Sequence, residues 1–109
     1  MHETAIIHQI LEELSRREKD KKITSVTLEV GELAPISAHT LKELLEEIVK
    51  FKVNVLPVKS QVICDCGYKG EPRVLAREHD FVLIECPKCK RMPSVLSGKE
   101  IVIKEIKTK

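Results

Sequence analysis

The stretch VICDCGYKGEPRVLAREHDFVLIECPKCK, residues 62–90, holds all four cysteines of the chain, as Cys64-Asp65-Cys66-Gly67 and Cys86-Pro87-Lys88-Cys89 with 19 residues between the pairs. Zinc takes four soft, deprotonated ligands in a tetrahedron, and a Cys-x-x-Cys turn sets two sulfurs about 2.3 Å from one ion. Backbone amides near the sulfurs offset their charge. The second pair has this spacing. The first has one intervening residue where two to four are usual, so its turn must be tighter. His79, inside the same stretch, can replace a strained Cys64 or Cys66 in a site of three sulfurs and one nitrogen. Iron accepts the same four thiolates, although Tyr68 and Phe81 give such a centre thin aromatic shielding. No water-activating residue stands beside the cysteines, so a metal held here reads as closed and structural.

Outward from this stretch the chain changes to regular patterns. Upstream, Val53, Val55 and the run from Val58 to Ile63 read as a strand that Pro57 confines to an edge or bends. Before it, Ser37 is a good N-cap and Ile36 is placed to pack on Leu41 as a hydrophobic staple. Leu41, Leu44, Leu45, Ile48 and Val49 then form an i, i+3, i+4, i+7, i+8 stripe, a helix to about residue 51. Val26, Leu28 and Val30 alternate with Thr27 and Glu29 as a half-buried strand ending at Gly31. Ile6, Ile7, Ile10, Leu11 and Leu14 recur at helical spacing, predicting an amphipathic helix over about residues 4 to 19. Downstream, Ile101-Val102-Ile103 and Ile106 predict a last strand with a lysine-bearing tail.

The order helix, strand, helix, strand, cysteine segment, strand predicts an α+β fold: a three-stranded sheet with two helices on one face and an inserted zinc-ribbon-like lobe. Residues 1–63 plus 98–109 form the body in this reading, and residues 64–97 the lobe.

The chain has 109 residues, 42% hydrophobic but only 3% aromatic, so its core must be built from Ile, Leu and Val. Its formal charge of +2 lacks the basic stripe of a nucleic-acid binder. The local excess of Lys19, Lys21 and Lys22 reads as a solvated turn. No apolar run approaches the roughly 18 residues of a membrane span, and the chain opens on a charged, helix-forming segment instead of a signal peptide. The expectation is a soluble cytoplasmic protein, in which thiols stay reduced and paired cysteines point to metal over disulfides. The four glycines fit neither a Walker nor a Rossmann pattern, so nucleotide chemistry belongs to a partner.

Met1-His2-Glu3 opens the chain. A histidine after a start methionine is usually an accident. Yet a free amine, the next amide nitrogen and the imidazole of His2 can chelate one metal in a plane, the geometry that Ni(II) favours.

Four features then come together in order: Met1-His2-Glu3, Val30-Gly31-Glu32-Leu33 after the first strand, paired cysteines in the last half, and Gly98-Lys99-Glu100-Ile101 opening the last strand. On these the chain resembles the HypA/HybF family of hydrogenase nickel-incorporation (maturation) proteins over essentially its whole length. The resemblance implies a nickel metallochaperone, not an enzyme, that binds Ni(II) and works with a nickel-handling GTPase to load the large subunit of a nickel-iron hydrogenase. It implies that His2 is the essential nickel ligand with Glu3 supporting it beside Met1. It also implies that Cys64, Cys66, Cys86 and Cys89 hold structural Zn(II). The Cys-x-Cys first pair departs from the family pattern.

His8, off the apolar face of the first helix, and His39, in the first turn of the second, read as solvated surface, while His79 is a candidate additional nickel ligand. Glu32 and Leu33 read as turn and packing residues. The competing reading is a zinc-ribbon adaptor that binds protein or RNA and has no nickel function. A redox module on the four cysteines is a third, and would be a coloured iron protein.

Overall fold

The computed structural model describes residues 2–77 and 82–109. Helix α1 spans His2–Arg17 and is followed by strand β1, Ile23–Gly31, helix α2, Ala38–Ile48, and strand β2, Lys52–Val58. Then come β3 (Gln61–Ile63), β4 (Lys69–Gly70), β5 (Arg73–Arg77), β6 (Val82–Glu85), β7 (Ser94–Ser97) and β8 (Ile101–Thr108).

β1 is the centre of a sheet ordered β2-β1-β8, parallel to β2 and antiparallel to β8. Parallel neighbours need a crossover, and α2 supplies it. Along β1 the buried residues are Val26, Leu28, Val30 and the terminal Gly31, with Thr27 and Glu29 turned to the opposite, wetter face. Ile7, Ile10 and Leu14 of α1 and Leu41 and Leu45 of α2 join those valines, Leu28 and Val53 in one buried cluster. Both helices therefore lie on one face, as the alternation and the two helical stripes require. Each such aliphatic side chain removed from water contributes about 1.5–3 kcal/mol.

The cap of α2 follows the sequence reading. The Ser37 hydroxyl accepts the Thr40 N–H at 3.2 Å, satisfying one of the amides that a helix start leaves unpaired. Ile36 and Leu41 are both buried. α2 stops at Ile48, a turn earlier than its stripe suggests, because Val49 is already extended and caps Leu45 O with its own N–H.

The run from Val53 to Ile63 is two strands, not one. It breaks at Lys59-Ser60, and Pro57 keeps its place opposite Val30 on the open edge of the body's sheet, where a missing N–H costs nothing. Gln61–Ile63 instead becomes the middle strand of a second sheet, ordered β4-β3-β7. β5 and β6 form a separate hairpin. The radius of gyration is 16.1 Å, against about 13 Å for a compact domain of this length, so the cysteine region projects from the body.

The chain leaves the body at Ser60 and returns at Gly98, and the two crossings are pressed together on the residues after β1. Glu32 N–H donates to Val58 O (2.8 Å), Leu33 N–H to Gly98 O (2.7 Å) and Gly31 N–H to Glu100 O (2.8 Å). The fully buried Ser60 hydroxyl donates to Glu32 Oε1 at 2.8 Å. A side chain on Gly31 would sit 2.1 Å from Gly98 O, and one on Gly98 2.5 Å from Ser60 Cα. Arg77 at the end of β5 donates from its guanidinium to the carbonyls of Glu32 and Ala34, a third tie between the two parts.

Candidate metal centre

Each cysteine pair sits in a turn closed by its own backbone. In the first, Cys64 N–H donates to Tyr68 O and Gly67 N–H to Cys64 O, both at 2.9 Å. In the second, Cys86 N–H donates to Arg91 O and Lys90 N–H to Cys86 O, both at 2.8 Å. The two turns have the same plan, one residue shorter in the first. The residue after the second cysteine is left-handed in both, Gly67 at φ 98° and Lys90 at φ 65°. Cys-x-Cys is thus a shortened knuckle whose tighter ring relies on glycine, since a side chain in this region is costly.

The turns face each other. Cys64 Sγ lies 3.4 Å from Cys89 Sγ, and Cys66 Sγ 3.7 Å from Cys86 Sγ, each contact joining one turn to the other. All four sulfurs lie within 4.8 Å of one another. Four sulfurs about 2.3 Å from a tetrahedral zinc stand about 3.8 Å apart, so this donor set fits the ion. The separations are far beyond a disulfide bond of about 2.05 Å, and the cysteines are free thiols. Cys64 and Cys86 are buried, Cys89 is half-buried and Cys66 exposed.

The surroundings divide the thiols. For Cys89, the Arg91 backbone N–H, then the Cys64 thiol and the Arg91 guanidinium, stabilise the thiolate and pull it down to about 6. Burial raises Cys86, but the N–H groups of Cys89 and Lys88, aimed at its sulfur at 3.5 and 3.4 Å, together with Cys66 outweigh it and leave it lowered. For Cys64 the Cys66 amide favours the thiolate, yet the Cys89 sulfur, burial and the other two sulfurs prevail and push it up to about 11. Donors aimed at sulfur, and a cation beside it, are what a site of four thiolates and one dication needs around it. Arg91, which lowers Cys89 through its N–H and guanidinium, was not singled out in the sequence; its only signal there was a cationic side chain two positions beyond the second knuckle.

Elsewhere, His8 and His39 are exposed, as read from the sequence, and His39 pairs with Glu43 one turn along α2. Glu3 is half-buried in the first turn of α1. Met1 and His79 lie outside the described residues. Glu32 proves a junction residue, held by Ser60. No described helix is long and apolar enough to cross a membrane.

Comparison with known proteins places this arrangement. Residues 1–108 match the family model described as "Hydrogenase/urease nickel incorporation, metallochaperone, hypA". The chain belongs to the HypA family. It is 42% identical over 108 residues to the hydrogenase maturation factor HypA of Methanocaldococcus jannaschii, covering 92% of this chain and 84% of that one. It is 33% identical over 119 residues to the protein of the same description from Methanococcus aeolicus, covering 95% and 94%. The solution structure of the nickel metallochaperone HypA from Helicobacter pylori has the same fold, with a TM-score of 0.54 at 18% identity over 95% of this chain and 92% of that one. The resemblance drawn from four short segments of sequence is therefore a family relationship that spans the chain.

Proposed function

We propose that this protein is a nickel metallochaperone for hydrogenase maturation, carrying Ni(II) at its amino terminus and a structural Zn(II) on Cys64, Cys66, Cys86 and Cys89. The observation that carries the reading is the whole-chain family match beginning at residue 1, which includes Met1-His2-Glu3. Bound zinc would supply no chemistry beyond neutralising the thiolates and clasping the two knuckles, with Arg91 and the amides of Lys88 and Cys89 shielding the sulfurs.

Nickel is the cargo. In this reading the Met1 amine, the His2 amide nitrogen and the His2 imidazole take it in a plane, with Glu3 beside them and His79 as a further candidate ligand. α1 begins at His2, so the His2 amide is among the first four N–H groups of a helix, which have no acceptor within it. It is therefore free to lose its proton to nickel, and the positive end of the helix dipole favours the anion that results. A terminal site of few ligands also suits a carrier, because it opens by lifting one end of the chain.

Delivery would run through a nickel-handling GTPase to the hydrogenase large subunit, in the cytoplasm, with no catalysis by this chain. Two lobes, with the boundary expected at residue 63 moved back to Ser60 because β3 belongs to the second sheet, would keep the zinc fold and the nickel terminus separable. The test is the metal content of untagged protein, followed by a nickel titration of wild type beside His2→Ala. One zinc per chain, with nickel binding lost in His2→Ala and zinc unchanged, is expected. Nickel binding unaffected by the substitution would overturn the terminal site and leave an adaptor built on the zinc lobe.

A further inference from the structure

Among the described residues, the body's sheet has two free edges. β2 carries Pro57, which has no N–H to offer, whereas β8 contains no proline. The backbone direction of β8 is fixed at both ends, where Glu100 O accepts from Gly31 N–H and Lys109 N–H donates to Lys22 O (2.9 Å). In an antiparallel pair alternate residues turn both backbone groups toward the same neighbour. The register slips between Thr27, opposite Glu105, and Leu28, opposite Ile103. Counting inward from both ends therefore leaves Ile101, Ile103, Ile106 and Thr108 with N–H and C=O groups pointing away from β1. The same four residues are the half-buried ones of the strand, whereas Val102, Lys104, Glu105 and Lys107 are exposed.

We propose that β8 pairs antiparallel with β8 of a second copy of this chain, about a two-fold axis between Lys104 and Glu105, joining two three-stranded sheets into one of six. Around that axis Ile103 meets Ile106 of the second copy and Ile101 meets Thr108, and Lys104 stands opposite Glu105. In a regular strand this register would set inward side chains against outward ones, since faces alternate with every residue. The slip at Lys104 and Glu105 removes the conflict: the partnered residues share a face, and each pair brings together free backbone groups. The four pairs, two of Ile103 with Ile106 and two of Ile101 with Thr108, exchange about eight hydrogen bonds.

The charges carry the choice of partner. Lysines and bulges on an edge keep foreign strands away. Here the exposed residues at the slip have opposite sign and adjacent positions, so the edge is complementary to its own copy. Lys104 already lies 3.5 Å from Glu29 Oε2, and Glu105 3.9 Å from Lys107 Nζ, so the partner's carboxylate joins an existing network. A groove of about 460 Å³ between α1 and β8, lined by Ile6, Ile10, Ile101 and Ile103 and by the charged Glu13 and Arg17, opens along the same edge and gives the incoming Ile106 partly apolar surroundings. One strand and its flank fall short of a standard interface of about 1,600 Å², so the dimer is a dissociating one of roughly micromolar strength.

Sedimentation equilibrium of the zinc-loaded, untagged chain from about 10 µM to about 1 mM tests this. The expected result is a shift from 12.4 kDa toward twice that mass. Lys104→Glu or Glu105→Lys alone places two like-charged pairs across the axis and raises the dissociation constant about tenfold. The double variant Lys104→Glu with Glu105→Lys restores opposite signs and returns it to within about threefold of wild type. A monomer at all concentrations overturns the proposal. So does a dimer that the single variants leave unchanged or that the double variant fails to restore, with circular dichroism showing each variant folded.

Discussion

Gly31→Ala should be among the most damaging single-methyl changes in this chain, and the reason lies in the junction between body and cysteine region. The new Cβ would lie 2.1 Å from Gly98 O, 2.3 Å from Gly98 C and 2.9 Å from Gly98 Cα, all backbone atoms. Gly98 is itself packed closely on the other crossing, where an added Cβ would meet Ser60 Cα and Cβ at 2.5 Å. Forced overpacking costs about 1–3 kcal/mol or more. Opening the crossing would also break the bonds from Gly31 N–H to Glu100 O and from Leu33 N–H to Gly98 O, each contributing about 1 kcal/mol. The expected loss is therefore about 3–5 kcal/mol, a large part of the roughly 5–15 kcal/mol that native domains possess. With a urea slope of about 2 kcal/mol per molar, the midpoint falls by about 2 M. Gly67→Ala is the control: its φ of 98° is strained for alanine, but nothing lies within 4 Å of the new methyl, so it loses only about 1–2 kcal/mol. Urea unfolding followed by far-ultraviolet circular dichroism, with zinc in excess, measures both. If Gly31→Ala is as mild as Gly67→Ala, the crossing is looser than described and the reasoning fails.

Ser37→Ala should lower stability by about 1 kcal/mol in the same assay by orphaning the Thr40 N–H, whereas Ser37→Asp should keep most of it. Cys89→Ser should abolish zinc binding and unfold the cysteine region while the helical signal persists, because among the described residues the buried cluster under α1 and α2, and the side chains packed against it, include none from 61–97; loss of the helical signal would contradict two separable lobes. Zinc uptake should release protons and weaken as pH falls. At neutral pH Cys89, lowered to about 6, is already a thiolate, whereas Cys64, raised to about 11, holds a proton that the metal must displace; protonation of Cys89 adds to the competition only below about pH 6. Calorimetry in buffers of different ionisation enthalpy reads that proton. Arg77→Ala should leave zinc content unchanged but speed amide exchange across β5 and β6, since the guanidinium ties the hairpin to the carbonyls of Glu32 and Ala34; unchanged exchange would show the tie to be idle.

The features legible in the sequence are those written in local periodicity or in short-range chemistry. The stripes of Ile7, Ile10 and Leu14 and of Leu41 and Leu45, the alternation of Val26, Leu28 and Val30, and the Ser37 cap need only neighbours within a turn or two, and the structure repeats them. The cysteines announced themselves because a metal needs its ligands at fixed spacing. What escaped depends on contacts between distant segments. Pro57 was the visible breaker, yet the strand breaks at Lys59-Ser60, because the buried Ser60 must reach Glu32 across 28 positions. The small strands of the cysteine region run two to five residues, too short for periodicity to register. Gly67 was noted, but its use became visible only beside Lys90, its counterpart in the longer turn.

The central claim is that nickel is held by the amino terminus itself, and one measurement reaches it most directly. It is a pH-resolved nickel titration of untagged protein, followed by absorbance and circular dichroism, beside a variant with one extra glycine ahead of Met1. Wild type should give the yellow, diamagnetic spectrum of a planar nitrogen site. Its binding should strengthen as pH rises, because the amide must lose its proton, and weaken in acid, where protons compete with nickel for the ligand nitrogens. The added glycine keeps every side chain and moves the amine one peptide unit from His2, so the spectrum should change and the affinity fall. If the extended chain binds nickel with unchanged spectrum and affinity, the amine is not a ligand, and the claim is contradicted.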